Sequence, residues 1–370
     1  MKIGIITMHN VVHHGSVLQA YATQLLFERL GHDVTIIDYK YPNRWQEEHG
    51  MHIFYPSLKT RIAQCFGLKA KYRKRKKILR FMTKYYRLTR KYSDKNELKA
   101  NPPSFDIYVT GSDQVWNPRF TYADPAYFFI FEPAGSNIMS FSSSFACNSL
   151  NDDVARKYKE YLSRYKFISV RENQGAKIVY NLLGKVPPVT LDPTLMINTT
   201  EWSKFIKPSS RKGDYIFMYM LDYAFDPKPY IFELAKYFSE KYDKQVISTS
   251  KIPTEYNINC SVRQNVGIED FLTLISNSFM VITSSFHGVA FSVNFGIPII
   301  GIVKSNAGDD RISSLLHNVG LRKSIAIIGT PASELMPFYD STKEQTKLDT
   351  LRQSSKKYVE HSLDYFKSKL

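Results

Sequence analysis

The sequence predicts an α/β protein built from two Rossmann-like, doubly wound domains. Apolar strand-like runs alternate with amphipathic helical segments from the first residue onward. The alternation breaks once, at Pro187-Pro188 and Asp192-Pro193, and then resumes. A chain of 370 residues is too long for one ordinary α/β domain and long enough for two with separate cores.

In order, Lys2–Met8 and Val34–Asp38 read as strands flanking a helix from about Ser16 to Leu30 that stops at Gly31. Asp106–Thr110, Ile138–Phe145 and Phe167–Val170 read as further strands, with helices over Asp152–Tyr165 and Asn173–Leu183. The second series has strands at Tyr215–Met220, Val246–Thr249, Met280–Thr283 and Ile299–Val303. Its helices are expected over Lys228–Tyr242, Glu269–Asn277, His287–Phe295 and Arg311–Val319. The expected domains are 1–187, with a basic helical insertion over 55–93, and 188–345. Residues 346–370 form a final helix whose buried stripe is Leu351, Tyr358, Leu363 and Phe366. Doubly wound domains take ligands at the carboxyl ends of their strands, so the chemistry is expected on strand-to-loop transitions facing an interdomain cleft.

Composition narrows the function classes. No uncharged apolar stretch reaches the length of a membrane span, and the first apolar run ends at His9-Asn10 without a cleavage site. Cys65, Cys147 and Cys260 are odd in number and far apart, which argues against disulfides and structural zinc and fits a cytoplasmic protein. The formal charge is +16, and fourteen of the cations fall between His49 and Ser93 with no acid among them. The remainder of the chain is close to neutral. Within Lys69–Lys91, Ile78, Phe81, Met82, Tyr85 and Leu88 recur at helical spacing, so this segment is expected to meet anionic membrane or a diphosphate-linked glycolipid as a peripheral helix, unless it is simply a solvated face. No nucleic-acid recognition motif accompanies the charge.

Four strand ends carry candidate chemistry. Val281-Ile282-Thr283-Ser284-Ser285-Phe286-His287-Gly288 runs from a buried strand into a helix, where Ser284 or Ser285 caps an anion-holding N-terminus and His287 lies in the first turn. Arg171 leaves the strand Phe167–Val170 with a fork suited to carboxylate or phosphate, the alternative being an ion pair with Glu172 or a surface carboxylate. Gly111-Ser112-Asp113-Gln114-Val115-Trp116-Asn117 sets an acid and an aromatic at one strand end, a pairing suited to sugar, although Asp113 bonding its own backbone is an equal alternative. His13-His14-Gly15-Ser16 opens the first helix in the way a glycine-containing loop opens over an anion, and it is not a dinucleotide fingerprint. Arg311 offers a further cation at a helix start.

Five ordered segments together resemble the polysaccharide pyruvyl transferase family along most of the chain. They are Gly15–Ala22, Gly111–Asn117, Ser169–Glu172, Leu191–Leu195 and Ser285–Gly288. The resemblance implies a GT-B-like arrangement of the two domains and a reaction that moves an enolpyruvyl group from phosphoenolpyruvate onto a sugar of a surface polysaccharide or its lipid-linked precursor. A pyruvate ketal forms and phosphate is released, with no cofactor and no metal. On this reading His287 is the catalytic acid and Asp113 the base or hydroxyl-orienting group. Arg171, Ser284, Ser285, Gly288 and Arg311 hold the donor, and His14, Ser16 and Trp116 hold the acceptor. The chain departs from many members by carrying Ser285 and Phe286 where an arginine precedes the histidine, and His13-His14 where Asn-Tyr precedes the glycine. The rival reading is a glycosyltransferase of the same architecture using a nucleotide sugar, with Asp309 or Asp310 on the ribose. A non-catalytic polyanion binder is the third.

Overall fold

The computed structural model describes residues 1–40, 58, 70–305, 310–337, 339 and 342–369. Cys65, most of the stretch 55–69 of the basic insertion, Asp309 and the side chain of Asp310 lie outside the described residues. The chain divides into two compact units, with crossings between Ile78 and Leu79, Met196 and Ile197, and Asp349 and Thr350. The second crossing comes later than the expected break after 187, because the segment through Leu195 still bonds to the first unit's own residues.

In the first unit, β1 (Lys2–Ile6), β2 (Asp33–Ile36), β3 (Ile107–Thr110) and β4 (Ile138–Ser140) form one parallel sheet in the order β2-β1-β3-β4. Ile5 pairs with Ile36 on one side and Val109 on the other. Strands such as Ile107–Thr110 are buried along their whole length, as expected of parallel strands covered on both faces. Helix α1 (His14–Arg29) connects β1 to β2, and Gly31 takes the left-handed φ of +83° that ends it.

Phe167–Val170 does not become a strand. Only isolated bridges join Met139 to Phe167 and Ser143 to Val170. Some ladder bonds remain, such as Ser140 N to Phe167 O (3.0 Å), and serine side chains take others: Ser169 N donates to Ser140 Oγ (3.0 Å) and Ser142 N to Ser169 Oγ (3.0 Å). Hydroxyls that bond backbone in this way compete with regular pairing.

Helix α2 (Ala70–Tyr85) carries the basic segment, and its apolar stripe is not available to a bilayer. Ile78, Phe81 and Met82 are buried. Phe81 meets Tyr21 of α1 edge-on at 5.5 Å, and the Tyr86 hydroxyl donates to Val17 O at 2.8 Å. The expectation of an interfacial helix fails on this point, since the apolar face that would enter a membrane packs on the protein instead. Two of the cations also serve the fold: Arg75 is buried, and Lys77 Nζ donates to Asp270 Oδ2 at 2.6 Å. No helix among the described residues is long and apolar enough to cross a membrane.

Helices α3 (Lys95–Ala100), α4 (Pro118–Thr121), α5 (Asp152–Leu162) and α6 (Asn173–Leu183) also belong to the first unit, with the one-turn helix Pro193–Met196 and the end of the chain. In the C-terminal helix (Lys343–Lys367), Val359, Leu363 and Phe366 enter the same core as Ile3, Ile5, Phe27 and Met139. Leu351 and Tyr358, expected in the buried stripe, are half-buried, and the Tyr358 hydroxyl donates to Ser140 O at 2.8 Å.

The second unit holds β5 (Tyr215–Tyr219), β6 (Gln245–Ser248), β7 (Cys260–Val262), β8 (Met280–Thr283), β9 (Ile299–Val303) and β10 (Ile325–Ile327). All pair in parallel in the order β10-β9-β8-β5-β6-β7. Helices α7 (Tyr230–Tyr242), α8 (Ile268–Ser276), α9 (Phe286–Phe295) and α10 (Asp310–Val319) cover it.

Each sheet has one place where the chain reverses its direction of growth: between β1 and β3 in the first unit and between β5 and β8 in the second. At such a point adjacent connections leave on opposite faces and open a crevice outside the carboxyl ends, which is where ligands bind in open α/β sheets.

Candidate functional site

Ser16 and Asp113 follow the strands of the first reversal point, and Ser284, Ser285 and His287 follow a strand of the second. In the first unit, Ser16 lies in the opening turn of α1 after β1, and Asp113 follows β3. Ser16 Oγ donates to Asp113 Oδ2 at 2.5 Å, and His13 caps α1 by accepting from Ser16 N at 3.1 Å. Asp113 holds a left-handed φ of 73°, a conformation that Asp tolerates better than most residues, and its Oδ1 accepts from Gln114 N at 2.9 Å. Asp113 thus bonds the adjacent backbone, the alternative role expected of it, and its second oxygen is held by Ser16. His14, the first residue of α1, is buried beside this cluster in sequence.

Arg171 reaches carboxylates far from it in sequence. Its Nη1 donates to Asp192 Oδ2 at 2.7 Å and to Ser112 Oγ at 3.3 Å, and Nη2 lies 3.7 Å from Asp113 Oδ1. Asp192 is fixed in turn by Thr194, whose N and Oγ1 donate to Oδ1 at 3.0 and 2.6 Å, and by Ser112 Oγ at 2.7 Å. Glu172 turns the other way and accepts from Phe145 N and Ala146 N at 2.9 and 3.2 Å. One arm of the arginine fork is thus committed to a buried carboxylate, so the expected donor clamp is at least shared with the fold.

Asp192 and Ser112 are the residues that sequence reasoning left without a role. An Asp-Pro-Thr sequence is a local capping pattern that could have marked Asp192, but nothing along the chain announces its pairing with Arg171.

Trp116, expected to cover a sugar, is 0% exposed. Its indole stacks on Phe128 at 5.7 Å and packs against Phe145 and Tyr165, all within one core cluster. A ring closed on both faces has no surface for a ligand, and we correct its assignment to a core residue.

In the second unit, α9 starts directly after β8. Ser285 is its N-cap and accepts from Gly288 N at 3.3 Å. Ser284 does not cap. It ties β8 to the end of β5, donating to Leu221 O at 2.7 Å and accepting from Leu221 N at 2.9 Å. Thr283 Oγ1 makes a parallel tie, donating to Tyr219 O at 2.5 Å and accepting from Ser285 N at 3.0 Å. Gly288 is required by close approach, since a Cβ there would meet Thr283 Oγ1 at 2.7 Å. His287 occupies the first turn of α9 at 3% exposure, its ring 5.2 Å from that of Phe286. Arg311, in the first turn of α10, is buried as well. The hydroxyls of Ser284 and Ser285 are engaged by backbone, which leaves the helix dipole, rather than serine side chains, as the anion-favouring feature of this turn.

Among the described residues no group of three or more His, Cys, Asp or Glu side chains is placed to hold a metal ion.

The sequence model described as polysaccharide pyruvyl transferase matches residues 13–306. No curated protein matches the chain. Among solved structures, a UDP-N-acetylglucosamine 2-epimerase superposes with a TM-score of 0.56 at 9% identity, over 99% of this chain and 96% of that one. The UDP-N-acetylglucosamine 2-epimerase from Rickettsia bellii gives 0.54 at 11% identity, over 100% and 97%. These likenesses establish the fold class, two Rossmann-like parallel-sheet units of the GT-B kind.

Proposed function

The chain belongs to the polysaccharide pyruvyl transferase family, and we propose that it transfers a pyruvyl group from phosphoenolpyruvate to two hydroxyls of one sugar, forming a cyclic ketal and releasing phosphate. The observation that carries this reading is the family match itself, which runs from the first loop of one unit through the α9 turn of the other.

In this reaction C3 of phosphoenolpyruvate takes a proton, and C2 becomes electrophilic. One sugar hydroxyl adds to C2 and gives up its proton. The C2–O bond to phosphate then breaks, and a second hydroxyl closes the ring with loss of its own proton. His287 is the proposed proton donor to C3, being the titratable group in the first turn of α9. The N-terminus of that helix and Arg311 are the proposed partners of the donor's phosphate and carboxylate. Asp113 is the proposed acceptor of a hydroxyl proton or the group that orients it, with Ser16 fixing one oxygen. Arg171 then acts as a positioning residue, holding Asp192 and standing beside Asp113, rather than as the whole donor clamp.

The nucleotide-sugar alternative draws on the names of the fold neighbours, whose identities of 9% and 11% carry fold and not activity. Its expected ribose ligands, Asp309 and the Asp310 side chain, lie outside the described residues. The test is incubation with phosphoenolpyruvate and a panel of oligosaccharides, following phosphate release and the mass of the acceptor. Phosphate release that depends on an acceptor, with a ketal on the product, is the expected result. Sugar transfer from a nucleotide sugar, with phosphoenolpyruvate untouched, would replace the proposal by the alternative.

A further inference from the structure

The first unit contains an open-sided cavity of about 540 Å³ that no assignment above uses. It lies where the chain leaves β2 and along the connection from β3 to β4, at the end of α4 and the turn beyond. Its floor is a buried pair: the Tyr39 hydroxyl donates to Asp124 Oδ2 at 2.7 Å, and Asp124 Oδ1 accepts from Ala126 N at 2.9 Å. Lys40, Lys95 and Lys157 line its wall.

Lysines outnumber acids in the lining by three to two. The second acid of the cavity, Asp94, is turned onto the start of α3, accepting from Asn96 N at 2.7 Å and Glu97 N at 3.0 Å. Asp124 and one oxygen of Asp94 are thus bonded to the protein's own donors, and three lysines line the cavity beside them. The lining carries an excess of positive charge, which favours an anion.

An aromatic surface accompanies this charge. Tyr122 is 54% exposed, although its neighbours Tyr127 and Phe128 are buried in the core. It is held in a left-handed conformation (φ 53°), and Ala123 follows in the same region (φ 54°). Two successive non-glycine residues in this region are disfavoured, and a turn that keeps a large ring in solvent at such a cost has no packing benefit to offset it. Tyr161 contributes a second, half-buried ring to the lining.

We propose that this cavity binds an acidic saccharide unit of the acceptor, a tyrosine ring covering the apolar face of the sugar and the lysines holding its carboxylate or phosphate. The inference rests on the pyruvyl transfer reading for the word acceptor, and its test does not involve phosphoenolpyruvate.

Titration calorimetry of the full chain would compare a glucuronic-acid-containing trisaccharide, a phosphorylated trisaccharide, the matching neutral trisaccharide and inorganic phosphate. The acidic sugars should bind tighter than the neutral one, with affinity falling as salt is raised. Lys95→Gln/Lys157→Gln should weaken the acidic sugars roughly tenfold and leave the neutral one unchanged. Tyr122→Asn, which suits the left-handed backbone, should weaken both classes roughly two- to tenfold. The carboxylated and phosphorylated arms decide which anion the acceptor carries. Equal binding of neutral and acidic sugars, unchanged binding by the variants, or inorganic phosphate binding as tightly as the phosphorylated sugar would overturn the proposal. A chain that binds acidic sugar as described and never consumes phosphoenolpyruvate would overturn only the transfer reading.

Discussion

Arg171 Nη1 donates to Asp192 Oδ2 at 2.7 Å, and the two side chains are 1% and 0% exposed. An ion pair sealed in this way is hard to lose by halves. Arg171→Met leaves Asp192 buried without its cation and is expected to cost about 3–5 kcal/mol of stability. The double change Arg171→Met/Asp192→Leu should recover part of that loss, measured as a coupling energy from urea unfolding of the four chains in the cycle. Strict additivity of the two single losses would mean that the pair is not coupled.

His287 is expected to act in chemistry more than in folding. His287→Gln should lower turnover roughly 10²–10⁴-fold with little change in the apparent affinity for phosphoenolpyruvate. The melting temperature should stay close to that of the parent chain. A variant turning over at the parent rate would remove His287 as the acid, and His14 would be tested next.

Phe81 separates the structural use of the basic helix from a membrane use. Its ring is buried against Tyr21, so Phe81→Ala should destabilise the protein by about 3–5 kcal/mol. Any binding to anionic vesicles by the folded variant should remain as in the parent chain. Lost vesicle binding with unchanged stability would restore the interfacial reading.

Asp270 makes stability depend on pH in a defined direction. Burial alone pushes its carboxyl up, but hydrogen bonds from Lys207, Lys77 and Gly267 N outweigh this and hold it well below the usual carboxylate range. A folded-state pKa below the unfolded one gives stability that is present above about pH 4 and is lost as pH falls toward the folded value. Asp270→Asn should therefore be less stable than the parent chain at pH 7, by on the order of 1 kcal/mol given the solvent around both lysines. The gap should narrow below about pH 4, and urea midpoints at a series of pH values would show it. A gap constant across that range would rule out the linkage.

Much of the fold was legible because both sheets are parallel and buried on both faces, so that strands such as Met280–Thr283 and Ile299–Val303 read as unbroken apolar runs with the bounds the structure has. Phe167–Val170 misled because it too is largely apolar, while Ser140 and its own Ser169 take some of the backbone bonds a ladder would have used. The candidate site was legible where a residue's place depends on local chain geometry: the Ser285 cap and the first-turn position of His287 follow from a strand running into a helix. It was not legible where that place depends on partners far apart in sequence. Asp192 lies 21 residues from Arg171, and the Ser16 partner of Asp113 lies 97 away.

The sequence by itself determined the fold class and the strand ends on which candidate residues sit, because hydrophobic periodicity, caps and glycine stops act over a few residues. The tertiary structure decided what each of those side chains faces. It closed Trp116 into an aromatic core and turned the apolar stripe of the basic helix inward. It also set a carboxylate on Arg171 and left Tyr122 in solvent. Burial and pairing are properties of neighbours brought together by topology, and a periodicity common to core, membrane and ligand-facing surfaces does not distinguish among them.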